Sequence, residues 1–192
     1  MNETKNKTSA IIMIGMFTAI AAVISALPIG FQIFGVPATL QTFAMAFLGF
    51  ILGKKSGTIA VSVYILLGLV GIPVYNGFTG GPSVLFGITG GFLWGFLFIA
   101  FFCGAAYEQK NCHLKNIILK ILLPLVGLII CHVIGVIQFC LIMDMKLWPA
   151  AMAVSIPYIP KDILSMIIAY FTALSIRKAL SASKIQILQS AK

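Results

Sequence analysis

The sequence predicts an all-α membrane protein in which residues 1–192 form one domain with six transmembrane helices. Hydrophobic residues make up 60% of the chain and charged residues only 9%, whereas soluble domains are roughly half apolar and about a quarter charged. The mean hydropathy is +1.09. A water-soluble fold of this length lacks the interior to bury so much apolar side chain, so the remaining solvent must be lipid.

Six apolar runs are each long enough to cross a hydrocarbon core of roughly 30 Å, which takes about 20 helical residues. The second and third runs are at the short end of this range. Between them, two lysines flanked by glycines at 53–57 predict a tight exposed turn. The predicted spans lie near 8–27, 38–53, 56–72, 84–107, 117–142 and 156–178.

The basic residues predict the orientation of these spans. Lys and Arg accumulate beside the cytoplasmic ends of membrane helices, and all but Lys146 and Lys161 fall on one predicted side. Both termini are therefore predicted to be cytoplasmic, in a multi-pass protein of the cell membrane. The net charge of +9 then reflects topology rather than nucleic-acid binding. The residues on that side are Lys5, Lys7, Lys54, Lys55, Lys110, Lys115, Lys120, Arg177, Lys178, Lys184 and Lys192.

The outer connections at 28–42 and 71–91 carry no charged residue, and the second is rich in glycine. Irregular backbone at membrane depth is tolerated only where it is buried in protein or lines a cavity. These segments are therefore predicted to fold over a ligand pocket, where glycine lets backbone amides approach a ligand. The alternative is that the glycines serve only turns and close helix packing.

Titratable side chains are too few and too scattered to suggest an enzyme. No paired-carboxylate, phosphate-binding or nucleophile motif occurs, and no metal or cofactor is predicted. Ion coupling usually leaves ionisable residues inside spans, and here the interiors contain essentially one histidine. The protein is therefore predicted to bind something that another protein moves. The acids and imidazoles are Glu3, Glu108, His113, His132, Asp144 and Asp162.

The cysteines lack C-x-x-C spacing, and three fall inside predicted spans. They are predicted to be small buried hydrophobes rather than disulfides or metal ligands. The residues are Cys103, Cys112, Cys131 and Cys140.

Asp162 lies where the sixth predicted span begins, after Pro157 and Pro160. An acid there either caps the helix or accepts hydrogen bonds from a neutral ligand rich in N–H groups. The neighbouring Lys161 is predicted to be a solvated rim charge.

Small residues four apart form a smooth stripe along the first span, which permits close approach of another helix. The stripe serves either internal packing or docking of a partner subunit. Its residues are Gly15, Ala19, Ala22 and Ala26.

Five short motifs follow one another between about residues 15 and 175. They are Val36-Pro37-x-Thr39-Leu40-Gln41-Thr42, Leu48-Gly49-x-x-Leu52-Gly53-x-x-x-Gly57, Tyr64-x-Leu66-Leu67-Gly68-x-x-Gly71-Ile72-Pro73-Val74, Gly80-Gly81…Gly87-x-Thr89-Gly90-Gly91-Phe92-Leu93-x-Gly95-Phe96 and Ile159-Pro160-x-Asp162. Together, in this order and at this spacing, they closely resemble the BioY family, the biotin-specific substrate-binding (S) components of energy-coupling factor (ECF) transporters.

The resemblance implies a six-helix S component that captures biotin at the outer face with high affinity. It also implies docking through the first helix onto a transmembrane coupling subunit that a pair of cytoplasmic ATPases drives. Two other classes of function stay open, a stand-alone vitamin carrier and a membrane structural protein without a ligand.

The resemblance further implies a set of ligand-binding residues. Asp162 is expected at the ureido N–H groups of the ligand or at a neighbouring polar end. The other expected hydrogen-bonding residues are Gln41, Asn76, Thr39, Thr89 and Tyr158. Residues expected around the ring and alkyl chain are Phe34, Tyr75, Phe86, Gly80, Gly81, Gly90 and Gly91.

Three positions depart from the family pattern. Ser165 stands where a D-x-x-K motif would place lysine, and Lys161 substitutes for that cation only if its side chain bends inward. His132 and Gln138 occupy positions where aromatic residues are expected. These departures leave a weaker affinity, or a related ligand such as dethiobiotin or lipoate, as alternatives.

Overall fold

The structure, a computed structural model, describes residues 2–28, 32–33, 36–109 and 114–182. Helices dominate the described chain, and two strands of two residues form an antiparallel hairpin after the first helix. The elements are α1 (Asn2–Ala26), β1 (Gln32–Ile33), β2 (Val36–Pro37), α2 (Gln41–Leu52), α3 (Lys54–Leu69), α4 (Pro82–Leu85), α5 (Gly90–Tyr107), α6 (Leu114–Met143), α7 (Leu147–Val154) and α8 (Ile159–Ala182).

Four stretches of helix in the described residues are long and apolar enough to cross a membrane: Thr8–Ala26, Gly90–Tyr107, Ile117–Met143 and Ile159–Ser181. The other two predicted spans correspond to α2, with 12 residues, and α3, with 16. Both are shorter than the about 20 residues that a perpendicular crossing needs. The fold is therefore that of a multi-pass helical membrane protein with four full-length apolar helices and two short ones.

The connection between α2 and α3 differs from the predicted exposed turn. Gly53 alone separates the two helices, with φ +83°, and Lys54–Gly57 already belong to α3. Gly53 and Gly57 are buried. Glycine is suited to this backbone conformation because it has no Cβ to clash at positive φ. The predicted tight turn is present, but it consists of one buried residue rather than an exposed segment, because a single residue at positive φ is enough to reverse the chain.

Two helices lie in segments where the sequence predicted otherwise. The fourth predicted span, 84–107, is divided into α4 and α5, with Phe86–Thr89 between them. The predicted outer connection at 143–162 contains α7, whose residues Ala150 and Val154 are buried. Local hydropathy did not reveal the break between α4 and α5, because the residues between these two helices are themselves largely apolar.

Helix α2 forms the centre of the bundle and packs against α1, α3, α5 and α8. Every one of its residues except Phe43 is buried, as is typical of a helix that is hydrophobic all round. Its contact with α5 depends on Gly49, because a Cβ there would lie 2.4 Å from the carbonyl oxygen of Ala100. The first residues of α2, α5 and α8 consequently lie at the same end of the bundle.

The opposite end of the bundle carries Lys54 and Arg177. The Glu108 carboxylate accepts a hydrogen bond from the Lys54 backbone N–H at 3.0 Å and pairs with the Lys54 ammonium at 3.3 Å. The Arg177 guanidinium lies 3.8 Å from the centre of the Tyr107 ring and donates to the Phe50 carbonyl. These contacts join the ends of α2, α3, α5 and α8.

Candidate functional site

A cavity of about 290 Å³ opens at the end of the bundle where α2, α5 and α8 begin. Its volume lies at the lower end of the range for small-molecule pockets. Both charge-free connections contribute to its wall, together with α6 and the end of α7. The lining residues are Pro37, Thr39, Gln41, Thr42, Tyr75, Asn76, Thr79, Val84, Ile88, Thr89, Phe92, Leu93, Phe96, Leu128, Cys131, His132, Val154, Tyr158, Lys161 and Asp162.

Asp162 is the centre of a buried polar cluster in this wall. Its side chain is 6% exposed, and Oδ2 lies 3.3 Å from Nε2 of His132. The other imidazole nitrogen, Nδ1, lies 2.9 Å from the Ser155 hydroxyl. Because the carboxylate faces His132 and Lys161 rather than capping its own helix, the fold favours a role of Asp162 in the cavity.

Lys161 was predicted to be a solvated rim charge, but its side chain turns toward the cavity. Its ammonium donates to the Thr39 carbonyl at 3.0 Å and forms an ion pair with Oδ1 of Asp162. The helix positions of these neighbours differ by about 100°, and the long flexible side chain of lysine spans that angle. Lys161 therefore links α8 to the segment after β2.

One buried acceptor in the cavity wall, Oδ1 of Asn76, has no hydrogen-bond partner among the described residues. Oδ1 of Asp162 is paired with the Lys161 ammonium and, as a carboxylate oxygen, can accept a further hydrogen bond. A buried acceptor without a donor costs about 1–3 kcal/mol. The cavity therefore presents two acceptors that a ligand with N–H donors would satisfy.

Hydrogen bonds of Gln41, Tyr64 and Tyr75 stabilise the cavity wall near α3. The Gln41 amide donates to the Tyr64 hydroxyl at 3.0 Å, and the Tyr75 hydroxyl donates to the Ile65 carbonyl at 2.8 Å. Burial raises the pKa of Tyr75, in the connection after α3, to about 12. Tyr75 therefore stays a neutral donor at physiological pH.

The remaining wall is apolar. Phe92, Leu93 and Phe96 come from α5, whereas Leu128 comes from α6 and Val154 from α7. Aromatic and aliphatic side chains beside a few fixed polar groups are typical of sites for small organic ligands.

The structure brings most of the predicted polar residues to this cavity. Asp162, Gln41, Asn76, Thr39, Thr89, Tyr158, Lys161 and Tyr75 all line it. Phe86 does not, because its side chain is 64% exposed on the outside of the bundle. Phe34 lies outside the described residues.

The four predicted glycines are not among the described residues that line the cavity. A Cβ on Gly80 would lie 2.5 Å from the Ile72 carbonyl oxygen, and one on Gly91 would lie 2.6 Å from that of Ile134. A Cβ on Gly90 would overlap the Leu85 carbonyl group, and Gly81 has φ +98°. These contacts favour the alternative that the glycines permit turns and close helix packing.

Several lining residues were not predicted. His132 was noted as the one histidine within the predicted spans and as a departure from the family pattern, but not as a site residue, although its position within a span was the signal that could have identified it. Thr42 directly follows the predicted Gln41. The apolar residues Phe92, Phe96 and Leu128 carried no signal, because a lining residue and a core residue have the same hydropathy.

The small-residue stripe of α1 is divided between two environments. Gly15 and Ala19 are exposed, and an added Cβ on Gly15 would meet nothing within 4 Å. Ala22 and Ala26 are 8% and 3% exposed, facing into the chain's own bundle. Of the four residues, only Gly15 and Ala19 are accessible to a partner, so docking stays a prediction for these two, whereas Ala22 and Ala26 fit the alternative of internal packing.

Of the four cysteines, Cys103 and Cys131 are buried and Cys140 is half-buried, all as free thiols. Cys112 lies outside the described residues.

Apolar helices of membrane-spanning length around a partly polar, ligand-sized cavity define a multi-pass membrane protein that binds a small molecule. A sequence model of the BioY family matches residues 1–182, and the chain belongs to that family. The biotin transporter BioY of Thermotoga maritima is 34% identical over 173 residues, covering 88% of this chain and 95% of the relative. BioY of Rhodobacter capsulatus is 33% identical over 175 residues, covering 85% and 90%.

A solved structure is also similar to this chain. It is the crystal structure of the S-component for biotin from an ECF-type ABC transporter, with a TM-score of 0.76 and 26% sequence identity. The match covers 91% of this chain and 93% of that one. The similarity thus extends over nearly the whole bundle.

Proposed function

We propose that this protein is the biotin-binding subunit of a vitamin uptake transporter. The observation that carries the proposal is the pair of buried acceptors, Oδ1 of Asn76 and Oδ1 of Asp162, in one cavity. A ureido group has two N–H donors and lacks charge, so it can satisfy both acceptors without adding a buried ion. The names of the relatives support the same ligand.

The rest of the cavity suits the rest of biotin. Phe92, Phe96 and Leu128 provide the apolar surface that a bicyclic ring and an alkyl chain require. The Lys161 ammonium already pairs with Asp162, so the ligand carboxylate, which lies at the other end of biotin from the ureido group, must bind elsewhere in the cavity. The positive ends of α2, α5 and α8 lie at the same end of the bundle and favour an anionic group.

We further propose that the chain works as an ECF S component in the cell membrane. A transmembrane coupling subunit and two cytoplasmic ATPases would drive it, because the titratable groups of the cavity do not form a relay across the bundle. The positive-inside rule assigns the end with Lys54 and Arg177 to the cytoplasm. Six crossings with both termini on that side then place the cavity at the outer face.

Isothermal titration of the detergent-purified protein with biotin, dethiobiotin and lipoate tests this proposal. Biotin should bind at nanomolar to low micromolar concentration. Asp162→Asn should weaken binding about tenfold to a hundredfold, because hydrogen bonds to a charged group contribute about 1.5–3 kcal/mol. The matched control is Asp144→Asn, which changes an exposed acid in the connection after α6 and should leave the dissociation constant unchanged.

The outcomes separate the alternatives. Tighter binding of dethiobiotin or lipoate would replace biotin as the ligand, and no binding of any of the three would favour a structural protein. An unchanged dissociation constant for Asp162→Asn would remove Asp162 from the site. Biotin uptake in cells that lack the ATPase pair would indicate a stand-alone carrier.

A further inference from the structure

Gln138 in α6 makes two hydrogen bonds to the last residue of α4 and the connection that follows it. Its amide Nε2 donates to the Leu85 carbonyl at 3.2 Å and to the Gly87 carbonyl at 2.7 Å. Both N–H groups of one side chain amide are thus directed at the backbone of one short segment. Gln138 does not itself line the cavity.

The segment that Gln138 holds forms one side of the cavity. We call residues 82–89 the α4 segment. It contributes Val84, Ile88 and Thr89 to the lining, and its backbone places these three side chains. Any displacement of the segment from α6 would therefore widen the cavity at its mouth.

The α4 segment has little apolar anchoring of its own. Leu85 is fully buried, but Phe86 is 64% and Ile88 39% exposed, and Ser83 is also exposed. A four-residue helix is too short to be stable by itself. Side-chain contacts from neighbouring helices must therefore supply part of the energy that holds the segment in place.

The glycines after the α4 segment allow it to lie this close to α6. A Cβ on Gly90 would be 2.6 Å from Nε2 of Gln138, and one on Gly91 would be 2.9 Å from Cβ of Gln138. Their lack of a side chain brings the carbonyl groups within reach of the amide. The hydrogen bonds of Gln138 therefore depend on glycine at positions 90 and 91.

We propose that Gln138 is a positioning residue that fixes the α4 segment against α6 and thereby sets how long the ligand stays bound. This inference rests on the proposed function for the identity of the ligand. The contact between Gln138 and the α4 segment does not depend on that function. The amide acts on the ligand only through Val84, Ile88 and Thr89. Loss of the amide should therefore affect the exit of the ligand more than its entry.

Gln138→Leu tests the proposal because it keeps a side chain of similar size and removes both donors. Biotin dissociation, measured by chasing labelled biotin, should become about tenfold faster, because the α4 segment loses both of its hydrogen bonds to Gln138. The association rate should change less than threefold. Gln138→Glu places a carboxylate, which only accepts hydrogen bonds, opposite two carbonyl oxygens. It should raise the dissociation rate by at least the same factor.

Hydrogen–deuterium exchange of the ligand-free protein provides a second measurement that does not depend on the ligand. In Gln138→Leu, amides of residues 82–91 should exchange faster, while those of α2 and α8 stay unchanged. Gln109→Leu is the matched control, because Gln109 lies at the opposite end of the bundle, just after α5. It should change neither exchange in the α4 segment nor dissociation.

Unchanged exchange at 82–91 in both Gln138 variants would overturn the proposal. An equal rise over all helices would also overturn it, since that indicates a general packing role. If the parent protein binds no biotin, the proposed function fails. The exchange pattern then decides by itself whether Gln138 holds the segment.

Discussion

The Asp162 carboxylate makes two kinds of contact in the cavity wall. Oδ2 faces the His132 imidazole, and Oδ1 faces Lys161 but still has capacity to accept a hydrogen bond. A buried carboxylate is tolerated when charges and donors surround it. The same arrangement keeps it charged and oriented for a ligand N–H group.

His132 should be a positioning residue for Asp162. His132→Phe keeps a ring next to Phe92. In the parent protein the centre of the Phe92 ring lies 5.7 Å from the centre of the imidazole. The change leaves the buried Ser155 hydroxyl and Oδ2 of Asp162 without their partner. We expect the free energy of unfolding to fall by about 1–3 kcal/mol and biotin affinity to fall about tenfold.

A double-mutant cycle combines His132→Phe with Ser155→Ala. Thermal unfolding of its variants measures stability, and titration calorimetry measures biotin affinity. Ser155→Ala alone should be milder, because His132 still contacts Asp162. The double variant should regain part of the stability lost in His132→Phe, since it no longer buries an unpaired hydroxyl. Strictly additive losses would show that the two side chains act independently.

At the scale of elements, the bundle depends on close backbone approach between α2 and α5. Glycine at position 49 in α2 and at position 104 in α5 faces neighbouring backbone at distances no Cβ tolerates. Small residues at helix interfaces are the usual means of packing in membranes, where lipid removes much of the hydrophobic drive between helices.

Gly49→Ala should destabilise the protein by about 1–3 kcal/mol through overpacking. The added methyl group would lie 2.4 Å from the backbone oxygen of Ala100, so one helix must move. Gly15→Ala in α1 is the matched control, because its methyl group meets nothing within 4 Å. There alanine should be neutral or slightly stabilising, as its helix propensity is higher. Thermal unfolding in detergent measures both, and equal stability of the two variants would contradict the packing argument.

At the scale of the whole molecule, one face of α1 is left exposed by the other residues that the structure describes. Gly15 and Ala19 form a shallow strip on this face, and Met16 and Ile20 beside them are 45% and 42% exposed. A smooth strip between larger apolar residues suits another membrane helix. This face is therefore the proposed contact with the coupling subunit.

Gly15→Leu combined with Ala19→Leu should leave biotin binding intact, because both positions lie outside the cavity. Uptake by cells that express the coupling subunit and ATPases should be lost, since the new side chains prevent close helix approach. Ser175→Leu places the same side chain on an exposed position of α8 and should leave uptake unchanged. Normal uptake by the double variant would assign docking to another face.

The sequence by itself determined the class of the protein and most of the polar residues at the cavity. Hydropathy identifies segments that must avoid water, and charge-free glycine-rich connections indicate a pocket at one end. Asp162 stood out because acids are rare in such a chain, whereas Gln41 and Asn76 were predicted only from the resemblance to the BioY family.

Only the tertiary structure decided which glycines pack, which face of α1 is buried, and that Lys161, His132 and Gln138 act around the cavity. Each of these depends on distances between residues far apart in the chain, such as Lys161 to Thr39 and Gln138 to Leu85. Local patterns of hydropathy and residue spacing in the sequence do not predict such distances. The packing of the helices, which brings the beginnings of α2, α5 and α8 together, creates them.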